Sequence, residues 1–213
     1  MRKWTLPLAA AGLAALSIGA LHAQGGPPQI PGQMDASRVQ AGTYKTDKNH
    51  SLVGFRVNHF GFNDYFGLFG DVDATLTIDP ANPNGAKVDA LIPINPLVAS
   101  PGLHDHLLRA GSNGGKPDFF GPNQAPAHFV STSVAANGHN ATITGDLTMN
   151  GITKPVTINA EFTGAGNSMM GNKLTVGFEG TAKIKRSDWG LSTFVPMVSD
   201  EVELTITTAF KKQ

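Results

Sequence analysis

The sequence has 213 residues, with 16 Lys and Arg balanced by 16 Asp and Glu, and it contains no cysteine. The balance excludes the basic field of a nucleic-acid-binding protein, and the lack of thiols excludes disulfides, thiolate metal sites and cysteine nucleophiles. The length suits one domain, and 25 Gly and 14 Pro among many Thr, Val and Ile residues indicate short strands joined by turns.

The N-terminal segment 1–23 has the pattern of a secretory signal peptide. Arg2 and Lys3 precede an apolar run rich in Ala and Leu, and cleavage is expected after Ala23. An uncleaved membrane anchor is the alternative. Residues 24–42 read as a flexible lead-in rich in Pro and Gly. We therefore expect a periplasmic or secreted bacterial protein whose folded domain covers residues 43–211.

Alternation of apolar and polar residues predicts most of the folded domain as strands. The predicted strands cover residues 51–59, 71–78, 87–94, 127–134, 141–149, 152–162, 174–184 and 201–210. Segment 60–70 is interpreted as a turn-rich aromatic stretch, and residues 112–126 as a loop. The only plausible helix is short and covers residues 102–110.

The segment 141–162 gives the clearest structural prediction. Asn150-Gly151 favours a type I′ turn, because both central positions of that turn require positive φ. A two-residue loop there fixes the register of the two strands. It places most apolar side chains on one face, and a slip by one residue would mix the two faces. The predicted pairs on the apolar face are Met149 with Ile152, Leu147 with Lys154 (the exception), Gly145 with Val156, Ile143 with Ile158, and Ala141 with Ala160.

About eight alternating strands with one helix indicate an antiparallel sandwich or a closed barrel. Small residues recur on the apolar faces, where a solid core would normally hold larger groups. This pattern favours an internal cavity over a filled interior. The small residues are Ala74, Ala90, Gly145, Ala160, Gly180 and Ala182.

Histidines raise the alternative of a metal-dependent hydrolase. His104 and His106 flank Asp105, and His50 is a further candidate ligand. On a helix, positions i and i+2 do not share a face, so the pair is a poor helical chelate. No H-E-x-x-H motif and no G-x-S-x-G elbow is present in the sequence.

The aromatic segment 60–70 allows two interpretations. Its rings either plug one end of a barrel or line a mouth past which an apolar chain slides. Phe119-Phe120 then lies on the other side of the same opening. His59 continues the apolar face of its strand, so it is expected at the polar end of the interior.

Several blocks together resemble the YceI-like family. The segment 47–73 matches the family's opening histidine, aromatic and glycine pattern, and Asp105-x-Leu107-Leu108 with Phe119-Phe120 resembles its helix and Phe-rich segment. FVSTSV, TGDLTMNGITKPVTI, IKRSDWG and SDEVELTI follow in the family's order. The chain departs from the pattern at Ser112 to Lys116, which looks like an insertion, and near Phe119-Phe120. It departs again at Asn63, where the family often has Ser.

The resemblance implies an all-β fold, an antiparallel eight-stranded lipocalin-like barrel with one short helix. It also implies a binding protein rather than an enzyme, holding a noncovalent isoprenoid lipid, quinone-like or polyprenyl, for storage or transport. The expected partner is a long-chain lipid and not nucleic acid, with transient membrane contact and a homodimer left open. A metal-dependent hydrolase and a stress-linked structural protein with a filled barrel are the alternatives.

Ten residues are predicted to contact the lipid, and no catalytic or metal-binding residue is predicted. They come from face parity along the strands and from the aromatic segment. The set is Phe55, Val57, His59, Phe62, Leu76, Ile92, Ile143, Ile158, Val176 and Phe178.

Overall fold

The computed structural model describes residues 29–213, so the predicted signal peptide and the first part of the lead-in lie outside the described residues. The elements in chain order are β1 Gly42–Thr46, β2 Leu52–His59, β3 Asn63–Phe69, β4 Asp73–Ile78, β5 Lys87–Ile92, α1 Pro101–Leu108, β6 Ala127–Asn137, β7 Asn140–Met149, β8 Ile152–Asn167, β9 Leu174–Lys185 and β10 Glu201–Lys212. Short 3-10 turns occupy Ala36–Arg38, Lys48–His50, Pro83–Gly85, Ser112–Gly114 and Arg186–Trp189.

The strands form a closed antiparallel barrel of eight strands, as predicted. The ring runs β1-β4-β5-β6-β7-β8-β9-β10 and closes because β10 also pairs with β1. β2 and β3 continue β1 and β4 beyond short interruptions, and β2 occupies the next part of the β10 edge. Two of the eight strands are therefore broken in the middle, which gives ten strand segments.

Segment 60–70, interpreted from the sequence as a turn-rich aromatic stretch, contains the strand β3, which was not predicted. Its alternation is hidden in the sequence, since both faces carry apolar side chains. Phe66 and Leu68 point outward and are exposed, whereas Phe69 is buried. A strand that is apolar on both faces lacks the period-two signal.

The central hairpin has the predicted turn and register. Asn150 and Gly151 adopt φ of 52° and 73°. Met149 pairs with Ile152 and Ile143 with Ile158. The short helix α1 is also present, capped at its N-terminus by the Ser100 side chain. No helix within residues 29–213 is long and apolar enough to cross a membrane.

The lead-in, predicted to be flexible, packs against the barrel over its described part. Gln33 and Ala165 of β8 exchange two backbone hydrogen bonds of 3.1 and 2.8 Å. Val39 packs against the core, and the Tyr44 hydroxyl donates to the Gln40 carbonyl oxygen at 2.7 Å. Close approach is possible because Gly164 and Gly166 present bare backbone to this segment.

Candidate ligand-binding site

A cavity of about 480 Å³ lies inside the barrel, at the end where the β2–β3 and β7–β8 turns and the 186–200 loop meet. Strands from every side contribute to its wall. The apolar lining includes Val53, Phe55, Val57, Phe69, Ile92, Ile94, Ala127, Phe129, Leu147, Met149, Val156, Ile158, Ala182, Ile184, Val202, Leu204 and Ile206.

The opposite end of the barrel is filled by packed side chains. Tyr44 and Val176 are fully buried there, and Phe178 lies between Phe162 and Phe210 with ring centroids 5.8 and 6.3 Å apart. The barrel therefore has two halves, one packed and one hollow. A barrel filled along its whole length, one of the alternatives above, does not describe this interior.

The predicted site residues divide between these two halves. Phe55, Val57, His59, Ile92 and Ile158 line the cavity. Four others belong to the packed core or lie against it, and they do not line the cavity: Leu76, Ile143, Val176 and Phe178. Face parity gives the side of the sheet on which a side chain lies, but not its height along the barrel.

Phe62 differs from all nine because it lies at the tip of the β2–β3 turn and is 89% exposed. It is outside the cavity wall. The two residues before it, Phe60 and Gly61, have φ of 57° and 75°, and this turn carries the next side chain out into solvent.

Most of the small residues predicted to leave room for a ligand instead pack against neighbouring side chains. Ala74 and Ala90 belong to the packed core. Gly145 lies beneath the ring of Phe129, and a Cβ at Gly180 would be 3.1 Å from a methyl group of Ile158. Of the six small residues named in the prediction, Ala182 lines the cavity.

The cavity wall has a gap beside β3, and the segment 93–126 covers it. β3 pairs with β2 on one side. Among residues 29–213, its other edge pairs only with Leu97, through two backbone hydrogen bonds between Leu68 and Leu97. Helix α1 and the Phe-rich segment complete this side with Leu103, Leu107, Phe119 and Phe120. This cover consists of loop and helix rather than paired strand.

Two aromatic residues stand at the rim of the cavity in unusual backbone conformations. Phe60 and Phe194 have φ of 57° and 63°, and they are 46% and 47% exposed. Their loops are joined because the Phe60 amide donates to Met197 at 2.7 Å. Left-handed backbone is costly for a bulky residue, so the surrounding bonds must hold these rings in place.

Polar side chains are few in the lining: His59, Tyr65, Ser100, His106 and Arg186. His59 packs between Phe60 and Tyr65, with ring centroids 4.5 and 4.6 Å away. His106 bonds Asp118 at 3.0 Å, and Arg109 bonds the same carboxylate at 2.7 Å. The hydrogen bond from Arg109, followed by that from His106, lowers the pKa of Asp118.

Arg186 is the charged residue buried in this wall, and it is not among the ten residues predicted from the sequence to contact the lipid. Only 5% of it is exposed, and burial lowers the pKa of its guanidinium, while the negative charge of Asp200 opposes that shift. A signal was present, because position 186 continues the inward parity of Leu174 to Ile184 on β9. Because Arg186 is charged and follows the last apolar residue of that strand face, it was interpreted as the first residue of a loop.

The residues of the metal hypothesis do not form a cluster. His104 lies 3.5 Å from Asp105, and His50 bonds Asp47 at 2.8 Å. The His106 ring is hydrogen-bonded to the Asp118 carboxylate. Among residues 29–213, no group of three or more His, Asp or Glu side chains is placed to hold a metal ion.

Comparison with known protein families finds a match that covers most of the chain. The model of the YceI-like domain matches residues 44–210. The chain belongs to the YceI-like family. A UPF0312 protein of Pseudomonas paraeruginosa is 40% identical over 174 residues, which is 80% of this chain and 87% of the relative. Protein YceI of Shigella flexneri is 39% identical over 174 residues, with the same coverage of 80% and 87%.

Solved structures show that this YceI-like chain shares its fold with experimentally determined barrels. BcnA of Burkholderia cenocepacia matches with a TM-score of 0.65 at 24% identity, over 77% of this chain and 98% of that one. A polyisoprenoid binding domain from Saccharophagus degradans, implicated in plant cell wall breakdown, matches with a TM-score of 0.51 at 11% identity, over 80% and 98% of the two chains. At these identities the likeness concerns the YceI-like fold.

Proposed function

We propose that this protein is a binding protein that holds a long-chain isoprenoid or related lipid, noncovalently, in the hollow half of its barrel. The observation that carries this proposal is the apolar cavity of about 480 Å³. Ligand pockets typically measure about 300–1,000 Å³ and are lined mainly by hydrophobic and aromatic side chains with a few polar groups. The lining described above has this composition.

The physics of such a site favours a chain over a compact polar molecule. Each methylene group withdrawn from water contributes about 0.8 kcal/mol, so a hydrocarbon chain gains affinity with length. Aliphatic and aromatic walls such as Ile92, Ile158 and Phe55 make little distinction among chains. The Saccharophagus degradans domain is described as polyisoprenoid binding, and this supports an isoprenoid as the class of guest.

The rim suggests how a lipid reaches the cavity. Phe60, Phe62 and Phe66 of the β2–β3 hairpin are exposed, and Phe60 also lines the cavity. An apolar rim continuous with an apolar interior gives a chain a path that avoids water. We propose that this hairpin touches a membrane transiently during loading and release. Together with the signal-peptide pattern of residues 1–23, this suggests storage or transport of the lipid in the periplasm or outside the cell.

The deciding experiment is to identify what the protein carries. The protein is purified from the exported fraction of bacterial cells, extracted with organic solvent, and the extract is analysed by mass spectrometry. We expect an isoprenoid or another long-chain lipid at close to one molecule per chain. The delipidated protein should bind such a lipid again in a fluorescence titration.

A matched variant tests whether the cavity is the place of binding. Ala182→Trp puts a large side chain into the cavity, and it should abolish copurification and rebinding while the protein stays folded by circular dichroism. A wild-type protein that carries no lipid and binds none on titration would overturn the proposal, as would a variant that binds as well as wild type.

A further inference from the structure

The guanidinium of Arg186 is fixed in the cavity wall by backbone carbonyls of the 186–200 loop. Nε donates to Ser199 at 2.9 Å, and Nη2 donates to Val198 at 2.8 Å. Nη1 donates to Leu191 and, at 2.9 Å, to Thr193. A guanidinium has five N–H donors, so four are used and the second hydrogen of Nη2 finds no acceptor among residues 29–213.

The positive charge of Arg186 also has no carboxylate partner in an ion pair among the described residues. Asp200 is the acidic residue whose charge it feels, but both oxygens of Asp200 are occupied by Ser187, at 2.9 Å from the amide and 2.7 Å from the hydroxyl. Asp118 is held by Arg109 and His106. A buried cation paired only with carbonyl dipoles is stabilised further by any anion that reaches it.

Arg186 and the aromatic side chains around it line the cavity. The guanidinium carbon lies 5.8 Å from the centroid of the Phe119 ring. The ring of His106 meets Phe119 edge-on at 5.2 Å and Phe194 at 5.8 Å, and all four residues line the cavity. His59 also lines the cavity, and its backbone pairs with Val198, whose carbonyl oxygen accepts a hydrogen bond from Arg186.

We propose that Arg186 is the anchor for an anionic oxygen head group, a carboxylate or a phosphate monoester, at the end of the bound lipid chain. This inference rests on the proposed lipid-binding function and adds the chemical class of the lipid. The free N–H of Nη2 donates to a head-group oxygen, and the charge makes that hydrogen bond a strong one. The chain extends from there along the apolar wall, with Phe119 covering the guanidinium.

The test compares lipids that share a chain and differ in the head group. Wild-type protein is titrated with palmitic acid against hexadecanol, and with geranylgeranyl phosphate against geranylgeraniol. We expect each anionic lipid to bind at least about tenfold more tightly than its alcohol, which corresponds to about 1.4 kcal/mol.

Two variants test whether the preference for anionic lipids over alcohols depends on Arg186. Arg186→Met should remove the difference between acid and alcohol, so that the variant binds palmitic acid and hexadecanol with affinities within about threefold of each other. Arg56→Met is the matched control, because Arg56 is an exposed arginine paired with Asp64 and Glu203 on the outer surface, and it should keep the full preference.

Arg186 also holds its own loop through four hydrogen bonds, and a folding defect in Arg186→Met would hide its effect on binding. A measurement on wild-type protein therefore decides independently. The carboxyl ¹³C signal of labelled palmitic acid bound to wild type should report an ionised carboxylate down to a lower pH than in a lipid vesicle, because a nearby fixed cation favours the charged form.

The outcomes separate the two proposals. Equal binding of acids and alcohols, or an unshifted carboxyl titration, would overturn the head-group assignment and leave lipid binding intact. Failure of every chain lipid to bind would overturn both.

Discussion

The ring of Phe129 on β6 lies directly against the backbone of Gly145 on β7. An alanine Cβ at position 145 would meet the Phe129 ring and lie 2.5 Å from the Val130 carbonyl oxygen. The glycine therefore makes space for an aromatic ring of the cavity wall, and not for a guest. Phe129 is 6% exposed, so this contact fixes one side of the hollow half.

Gly145→Ala should destabilise the protein by about 1–3 kcal/mol, because the extra methyl group overpacks a site with a rigid backbone neighbour. Urea denaturation measures the loss. Gly32→Ala is the control, since no heavy atom lies within 4 Å of a Cβ at Gly32 and its free energy of unfolding should change little. Equal effects of the two substitutions would contradict the packing described here.

The two halves of the barrel should respond differently to the same substitution. Ala182 lines the cavity, whereas Ala74 is 2% exposed in the packed core. Ala74→Leu should cost about 1–3 kcal/mol of unfolding free energy, because its surroundings are already filled. Ala182→Leu should leave the melting temperature nearly unchanged but weaken lipid binding about tenfold or more, since the leucine occupies space needed by the chain.

The opposite result, a stable Ala74→Leu protein and an unfolded Ala182→Leu protein, would contradict this assignment, because it would show free space around Ala74 and a filled interior around Ala182. Circular dichroism melting and lipid titration on the same two samples are sufficient to decide.

Docking of the lead-in depends on bare backbone at Gly166. A Cβ at that position would collide with the Pro31 carbonyl group. Gly166→Ala should therefore detach residues 29–35 from β8 while the barrel stays folded. Hydrogen exchange should show faster exchange at the Gln33 and Ala165 amides than in wild type. Unchanged protection at both amides would contradict this arrangement.

Acid should weaken the loop that carries Arg186. Burial raises the pKa of Asp200, but hydrogen bonds from the Ser187 hydroxyl and amide outweigh it and hold the value below that of a free aspartate. Because the folded-state pKa lies below the unfolded value of about 3.9, ionised Asp200 stabilises the protein above that pH, and the contribution disappears as the pH falls through the folded-state pKa.

Asp200→Asn should therefore lower the melting temperature at pH 7, and the gap from wild type should narrow below about pH 4. Melting curves of both proteins at a series of pH values measure this difference in melting temperature. A gap that stays constant from pH 7 to pH 3 would show that the Asp200 charge does not stabilise the loop.

Much of the fold was present in local sequence patterns. Asn150-Gly151 predicted its own turn, because few residues other than Asn and Gly adopt positive φ at low cost, and the register of β7 and β8 followed. β3 was missed because its outward face is apolar as well. Strand alternation also placed Phe55 and Ile158 on the inner surface, where they line the cavity.

Within the regular parts of the predicted strands, the sequence by itself determined which residues face inward, because side chains alternate along a regular strand. It did not determine how high in the barrel each inward residue lies, since height depends on the stagger between strands that are distant in the chain. Val176 and Ala182 share one face of β9, yet the first is in the packed half and the second lines the cavity. Only the tertiary structure, by closing β10 on β1 and bringing the 186–200 loop over the hollow half, decided where the space lies and brought Arg186 to its edge.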